Sequence, residues 1–205
     1  MRRRLCGGLL VLALVVLSVG GAAAQETGTP MFKAPYRAFT NHEFGLALSD
    51  PGSNADFALE GTYSYGRGNN DFGIRGGYAD GADDLDSRIL LGGNFRTRIV
   101  SYSESFPLDG ALTVGLGTQI GDGPDVFFLP VGVTLGRRFE LEGSSTSFTP
   151  YANPVIVPTF GGVDDDVNFA FGLGVDMRFS ETWSVRASGS LGDLEGVGLS
   201  VNYLQ

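Results

Sequence analysis

Over residues 167–179, VNFAFGLGVDMRF, every second residue is large and apolar: Val167, Phe169, Phe171, Leu173, Val175, Met177 and Phe179. Between them stand Asn168, Ala170, Gly172, Gly174, Asp176 and Arg178. A period of two belongs to a strand with one oily face. The stronger constraint comes from the second face. It holds mostly small groups, where a strand facing water would carry long charged side chains.

The same alternation runs from end to end. Phe44, Leu46 and Leu48 share one phase, as do Phe57, Leu59, Tyr63 and Tyr65. Phe72, Ile74 and Tyr78 follow, then Ile89, Leu91, Phe95 and Ile99, then Leu112, Val114, Leu116 and Ile120. Phe127, Leu129, Val131, Val133 and Leu135 form a sixth set, and residues 148–159 read as an irregular seventh. After 167–179 come Trp183, Val185, Ala187 and Leu191, and last Val197, Leu199, Val201 and Tyr203. The joins are turn-formers such as SDPGSN, GRGNN, GDGPD and GDLEG. This reading gives an all-β fold of ten strands, with eight as the alternative.

The composition of the two faces decides which side is dry. The interleaved residues are largely Gly, Ala, Ser and Thr, and Lys33 is the single lysine of the chain. Small groups suit the crowded inside of a narrow barrel, and bulky hydrocarbon suits lipid outside. A strand of about 11 residues, tilted by about 40°, rises roughly 27 Å, close to the ~25 Å apolar band of transmembrane barrels. Lipid leaves no solvent partner for backbone polar groups, so the sheet must close. The expectation is a closed antiparallel transmembrane β-barrel.

The first residues predict export. Arg2, Arg3 and Arg4 precede an apolar run from Leu9 to Val19, and Ala22, Ala23 and Ala24 follow. This order predicts a cleaved signal peptide over 1–24, a lead-in over 25–41 and the barrel over 42–205. The lead-in is polar and without clear pattern. Cys6, the one cysteine, lies in the leader, so no disulfide is expected. The formal net charge of −9 argues against nucleic acid or anionic lipid as a partner.

On these residues the chain resembles the small outer-membrane β-barrel family of Gram-negative bacteria. The last strand, GVGLSVNYLQ, resembles the terminal signal read by the barrel-assembly machinery, with Val197, Leu199, Val201 and Tyr203 in phase. The family usually ends on an aromatic residue, whereas Leu204 and Gln205 follow Tyr203 here. The resemblance implies residence in the outer membrane, with its lipid and lipopolysaccharide and the assembly machinery as partners. It implies no oligomeric state.

Four features bear on chemistry. Alternate joins carry Asp50 and Asp56; Asp80, Asp83, Asp84 and Asp86; Asp122 and Asp125; Asp164, Asp165 and Asp166; and Asp193 with Glu195. They make one rim acidic, either to gather divalent cations against lipopolysaccharide or because aspartate favours turns. Arg67, Arg96, Arg98, Arg137, Arg138 and Arg178 gather toward the other rim. Glu60, Arg75, Arg96, Arg98, Asp176, Arg178 and Arg186 fall in the inward phase, as a salt-bridge network plugging the lumen or as a selectivity lining. Pro150, Pro154 and Pro158 share parity, so their missing N–H groups face one neighbour, and Pro130 is read as adding to the same weak seam. That seam is similar to one in the outer-membrane palmitoyltransferase, which implies a lateral opening.

His42 is the only histidine, and Glu43 beside it points to the other face. No set matches the ten-stranded outer-membrane proteases, and His42 reads as interfacial. Trp183, Tyr63, Tyr65, Phe179 and Tyr203 read as a girdle at the membrane boundary. The expected function is a structural or narrow-channel envelope role without enzymatic activity. Its alternative is a membrane-embedded lipid-modifying or hydrolytic enzyme, opening laterally near Pro150 to Pro158. No catalytic, cofactor or metal residue is assigned.

Overall fold

Alternation at a period of two turns every strand into a two-faced stave, and glycine- and aspartate-rich joins reverse the chain between staves. In the computed structural model, which describes residues 26–52, 55–81, 86–162 and 165–205, these staves close on themselves. The order is β1 (His42–Asp50), β2 (Ala55–Arg67), β3 (Asn70–Gly81), β4 (Arg88–Val100) and β5 (Asp109–Gly121). A broken stave follows, made of β6 (Val126–Phe128), β7 (Val131–Gly136) and β8 (Phe139–Glu140). Then come β9 (Ser147–Gly161), β10 (Asp166–Arg178), β11 (Trp183–Gly192) and β12 (Gly196–Leu204).

Closure is made by β1 against β12, antiparallel from Glu43↔Leu204 to Asp50↔Val197. The three fragments β6, β7 and β8 keep one register against β9, through Phe128↔Thr159, Val131↔Ile156 and Phe139↔Phe148. They are therefore one stave, and the barrel has ten. The expected signal peptide over 1–24 and the rim residues Asp83, Asp84 and Asp164 lie outside the described residues.

Side-chain direction follows the sequence phases. Leu46 is 60% exposed, Ile74 63%, Leu116 61% and Val167 66%, so the large apolar groups form the outer wall. The buried residues include many polar and charged ones, among them Glu43, Glu60, Asp71, Arg75, Arg96, Asp176, Arg186 and Asn202. A water-soluble fold has the reverse arrangement.

One expectation needs correcting. Residues 148–159 are regular and belong to β9, the longest strand at 15 residues. The stave opposite, 126–140, is the interrupted one, because Pro150 and Pro158 of β9 remove donors on one edge and its own Pro130 removes one on the other. The structure also places part of the lead-in: residues 26–35 are almost wholly buried, with Thr27, Phe32 and Ala34 at 0% exposure. It lies inside the barrel.

Aromatic rings ring the end where β1 begins and β12 finishes. His42, Phe44, Tyr63 and Tyr65 stack together, and Trp183 meets Tyr203 edge-on at 5.4 Å. Phe179 is tied to the same corner by its N–H, which donates to the Trp183 carbonyl at 3.2 Å.

An arginine placed at the middle of the outer wall has to be solvated in hydrocarbon. Leu46→Arg should therefore lower barrel stability by about 2–4 kcal/mol in liposomes, as read by denaturant unfolding. Asp56→Arg, at the rim, should change it by less than about 1 kcal/mol.

Candidate functional site

Among the described residues the buried ion pairs gather in the bore, and the lead-in occupies it. Inward-facing glycines make the room. A Cβ on Gly172 would stand 2.8 Å from the Phe32 ring, and one on Gly73 the same distance from the Lys33 ammonium. A Cβ on Gly92 would stand 3.0 Å from Glu26 and Thr27 side-chain carbons. At Gly117 it would overlap the Glu26 carbonyl, and at Gly198 the Met31 sulfur. The absence of Cβ at these positions shapes a groove that fits residues 26–35. Much of the glycine that the strands carry has this use.

Ion pairs and hydrogen bonds fasten the segment to the wall. The Arg75 guanidinium donates to Glu60 at 2.9 and 2.5 Å, and reaches Glu26 of the segment at 3.3 Å. Thr27 and Thr29 hydroxyls donate to the two oxygens of Glu60, each at 2.7 Å. Lower down, the Lys33 ammonium donates to Ser64 Oγ at 2.8 Å and Asn94 Oδ1 at 3.3 Å. Arg96 pairs with Asp71 at 2.8 Å and also donates to the Ala34 carbonyl. Arg186 holds Asp176 at 2.8 Å and Glu43 at 3.3 Å, a pairing made wholly within the wall.

The inward network thus contains Glu60, Arg75, Arg96, Asp176 and Arg186 as the sequence phases place them. Arg98 and Arg178 are different. Arg98 lies at the rim beside Asn69, and Arg178 caps the Ser180 and Glu181 carbonyls of a turn. The ions do not plug the lumen by themselves. They bind the segment that does. The alternation signal could not reveal this, because residues 26–41 form no strand. Met31 and Phe32, apolar residues with no strand to belong to, were the available hint.

The apolar part of the segment meets β9. Phe32 clusters with Tyr151, Val155, Val157, Phe128 and Ala170. The Tyr151 hydroxyl donates to the Phe32 carbonyl at 2.9 Å.

The proline seam is real on one edge. Leu129 N–H donates to the Pro158 carbonyl at 2.9 Å and Arg137 N–H to that of Pro150 at 3.3 Å, so these prolines face the broken stave. Each of these positions would exchange two bonds in a regular ladder, and each has lost one. The flanking pairs Val131↔Ile156 and Leu135↔Ala152 place Pro154 opposite Val133, where the ladder is interrupted. On its other edge β9 pairs with β10 without a gap, from Asp166↔Thr159 to Arg178↔Ser147. Pro130 corrects the sequence reading. Its carbonyl accepts from Gly115 N–H at 2.8 Å, so it faces β5 and weakens the opposite seam.

At the acidic rim, aspartates cap turns. Asp50 accepts from Gly52 N–H at 2.9 Å, Asp165 from Gly161 N–H at 3.2 Å and Asp193 from Phe169 N–H at 2.9 Å. Among the described residues, no group of three or more His, Cys, Asp or Glu is placed to hold a metal ion. A cup of about 420 Å³ opens at this rim, with Gly28 and Thr29 of the segment among the residues that line it. His42 Nδ1 lies 2.9 Å from the Tyr63 hydroxyl, while the Glu43 carboxylate points into the bore on Arg186.

Arg75→Leu would leave two carboxylates buried without their cation, which costs about 3–5 kcal/mol; the midpoint of guanidinium unfolding should fall accordingly. Gly117→Val should displace the segment. A cysteine introduced at Ala34 should resist a water-soluble maleimide in the otherwise native chain and react once Gly117→Val is added.

The model of the family described as outer membrane protein beta-barrel domain matches residues 9–203. No curated protein matches the chain. Among solved structures, the beta domain of the Bordetella autotransporter BrkA is 13% identical, with a TM-score of 0.52 over 80% of this chain and 98% of that one. The Acinetobacter baumannii outer membrane protein Omp33 is 8% identical, with a TM-score of 0.37 over 82% and 99%. A de novo designed transmembrane beta-barrel is 14% identical, with a TM-score of 0.39 over 84% and 97%. The BrkA likeness supports the barrel fold, and the family match covers nearly all of the chain. The chain belongs to the outer membrane protein beta-barrel domain family and is a protein of the bacterial outer membrane.

Proposed function

We propose that this chain is a non-enzymatic, structural barrel of the envelope whose bore is shut by its own N-terminal segment. The observation that carries this reading is the burial of residues 26–35 within the lumen, on a wall whose glycines fit them. An open channel needs a continuous wet path. Here Phe32 and Ala34 are fully buried, and Arg75, Arg96 and Lys33 are spent on bonds to wall or segment. A narrow conduit would exist only with the segment gone.

The environment follows from the wall. The apolar outer face lies against outer-membrane lipid, and the acidic rim lies among lipopolysaccharide if the end where β1 begins faces the periplasm. The closing strand β12 is the segment that the barrel-assembly machinery would read. The position of His42 supports the non-enzymatic reading. Its ring is held among Phe44, Tyr63 and Tyr65, and the neighbouring carboxylate is committed to Arg186. The proline seam favours a second reading, a lateral path from bore to bilayer, and the segment packed behind that seam blocks it.

Planar-bilayer recording tests the proposal. The native chain should give no steps of conductance, and Gly117→Val should give small discrete ones. Steady conductance from the native chain would reject the shut bore.

A further inference from the structure

The segment in the bore touches the proline seam. We infer that residues 26–36 act as an internal latch on the seam between the broken stave (126–140) and β9, so that withdrawing the segment opens the wall sideways as well as the bore lengthwise. The inference rests on the reading of the segment as the resident filling of the bore.

The contacts span the seam from within. On the β9 side, Phe32 packs with Tyr151, Val155 and Val157, and its carbonyl accepts the Tyr151 hydroxyl. On the broken stave, Phe128 belongs to the same cluster. A Cβ on Gly28 would stand 3.1 Å from the Phe128 ring, and one on Gly136 3.1 Å from the Pro35 ring and 2.8 Å from Tyr151. Arg138, just past β7, lies over the Tyr36 ring at 4.6 Å. The segment therefore grips both sides of the seam, above and below its middle.

That middle is short of hydrogen bonds. Thr134 and Asn153, which the register sets opposite each other beside Pro154, are buried, and Thr134 Oγ1 and Asn153 Oδ1 find no hydrogen-bond partner among the described residues. The stave is weakened on its second edge too, where Pro130 faces β5. A stave short of ladder bonds on both edges depends on side-chain packing to stay in place, and here that packing comes from the N-terminal segment.

The direction of each N–H makes the test specific. In β7 the odd residues Val131, Val133 and Leu135 face β9, and in β9 the even residues Ala152 and Ile156 face β7. Val155 and Val157 face β10. Residue-resolved hydrogen exchange by NMR on the full chain in micelles would compare the native protein, Phe32→Ala, and Phe32→Ala with Pro154→Val.

Phe32→Ala should speed exchange at least tenfold at Val131, Val133, Leu135, Ala152 and Ile156. Val155, Val157 and the β1–β12 seam should stay unchanged. Adding Pro154→Val restores a donor opposite Val133 and should slow these amides again. If Phe32→Ala does not assemble, Pro154→Val alone must slow Val133 and its neighbours relative to the native chain. Equal acceleration on every seam, or none at this one, overturns the latch. A silent native pore together with such a result would leave the shut bore standing and remove only the sideways opening.

Discussion

Water is missing from the middle of a bilayer, and with it the partner that an unpaired N–H or C=O would find. Much of this structure answers that condition. Ten staves pair around a ring and β1 meets β12, so no edge is left in lipid. Closure puts one face of every strand outside, and this chain fills that face with Leu, Ile, Val and Phe. The inner face has little space. Its glycines leave a groove, and whatever displaces water from that groove has to give the wall's ions polar partners. The N-terminal segment fills it with Glu26, Thr27, Thr29 and Lys33 against the charged wall and Phe32 against the apolar part of β9.

Ions in the bore are arranged as compensated sets. Arg75 sits between Glu60 of the wall and Glu26 of the segment, and Arg186 between Asp176 and Glu43. Such sets contribute little net stability compared with well-packed apolar groups, but removing one member is costly. The consequence is specificity of placement. Glu26 and the two threonines bind one site, Glu60–Arg75, and this fixes how far the segment enters.

The strand phases were readable because lipid imposes the same rule on every stave: Leu46, Ile74, Leu116 and Val167 all point where the alternation places them. The segment was not readable, since its conformation answers to the wall and has no period of its own. The prolines were half readable. Their shared parity located a weak seam, but the irregularity appears in the partner. β9 itself is unbroken, because its ladder to β10 uses the other set of N–H groups. Pro130 was misassigned for the same reason: parity decides which neighbour loses a donor, and Pro130 faces β5. Of the inward ions, Arg98 and Arg178 share the phase but lie too near the strand ends to reach the bore.

The central claim is that hydrocarbon faces lipid while the inner phase is sealed from both lipid and water. Nitroxide labels placed singly at the odd residues 167–177, which point away from the bore and leave its filling undisturbed, test it most directly with the protein in liposomes. These positions should relax rapidly with oxygen, which dissolves in lipid, and slowly with a water-soluble nickel chelate. Odd positions that meet the chelate freely, or that oxygen reaches no better than the chelate does, would contradict the account.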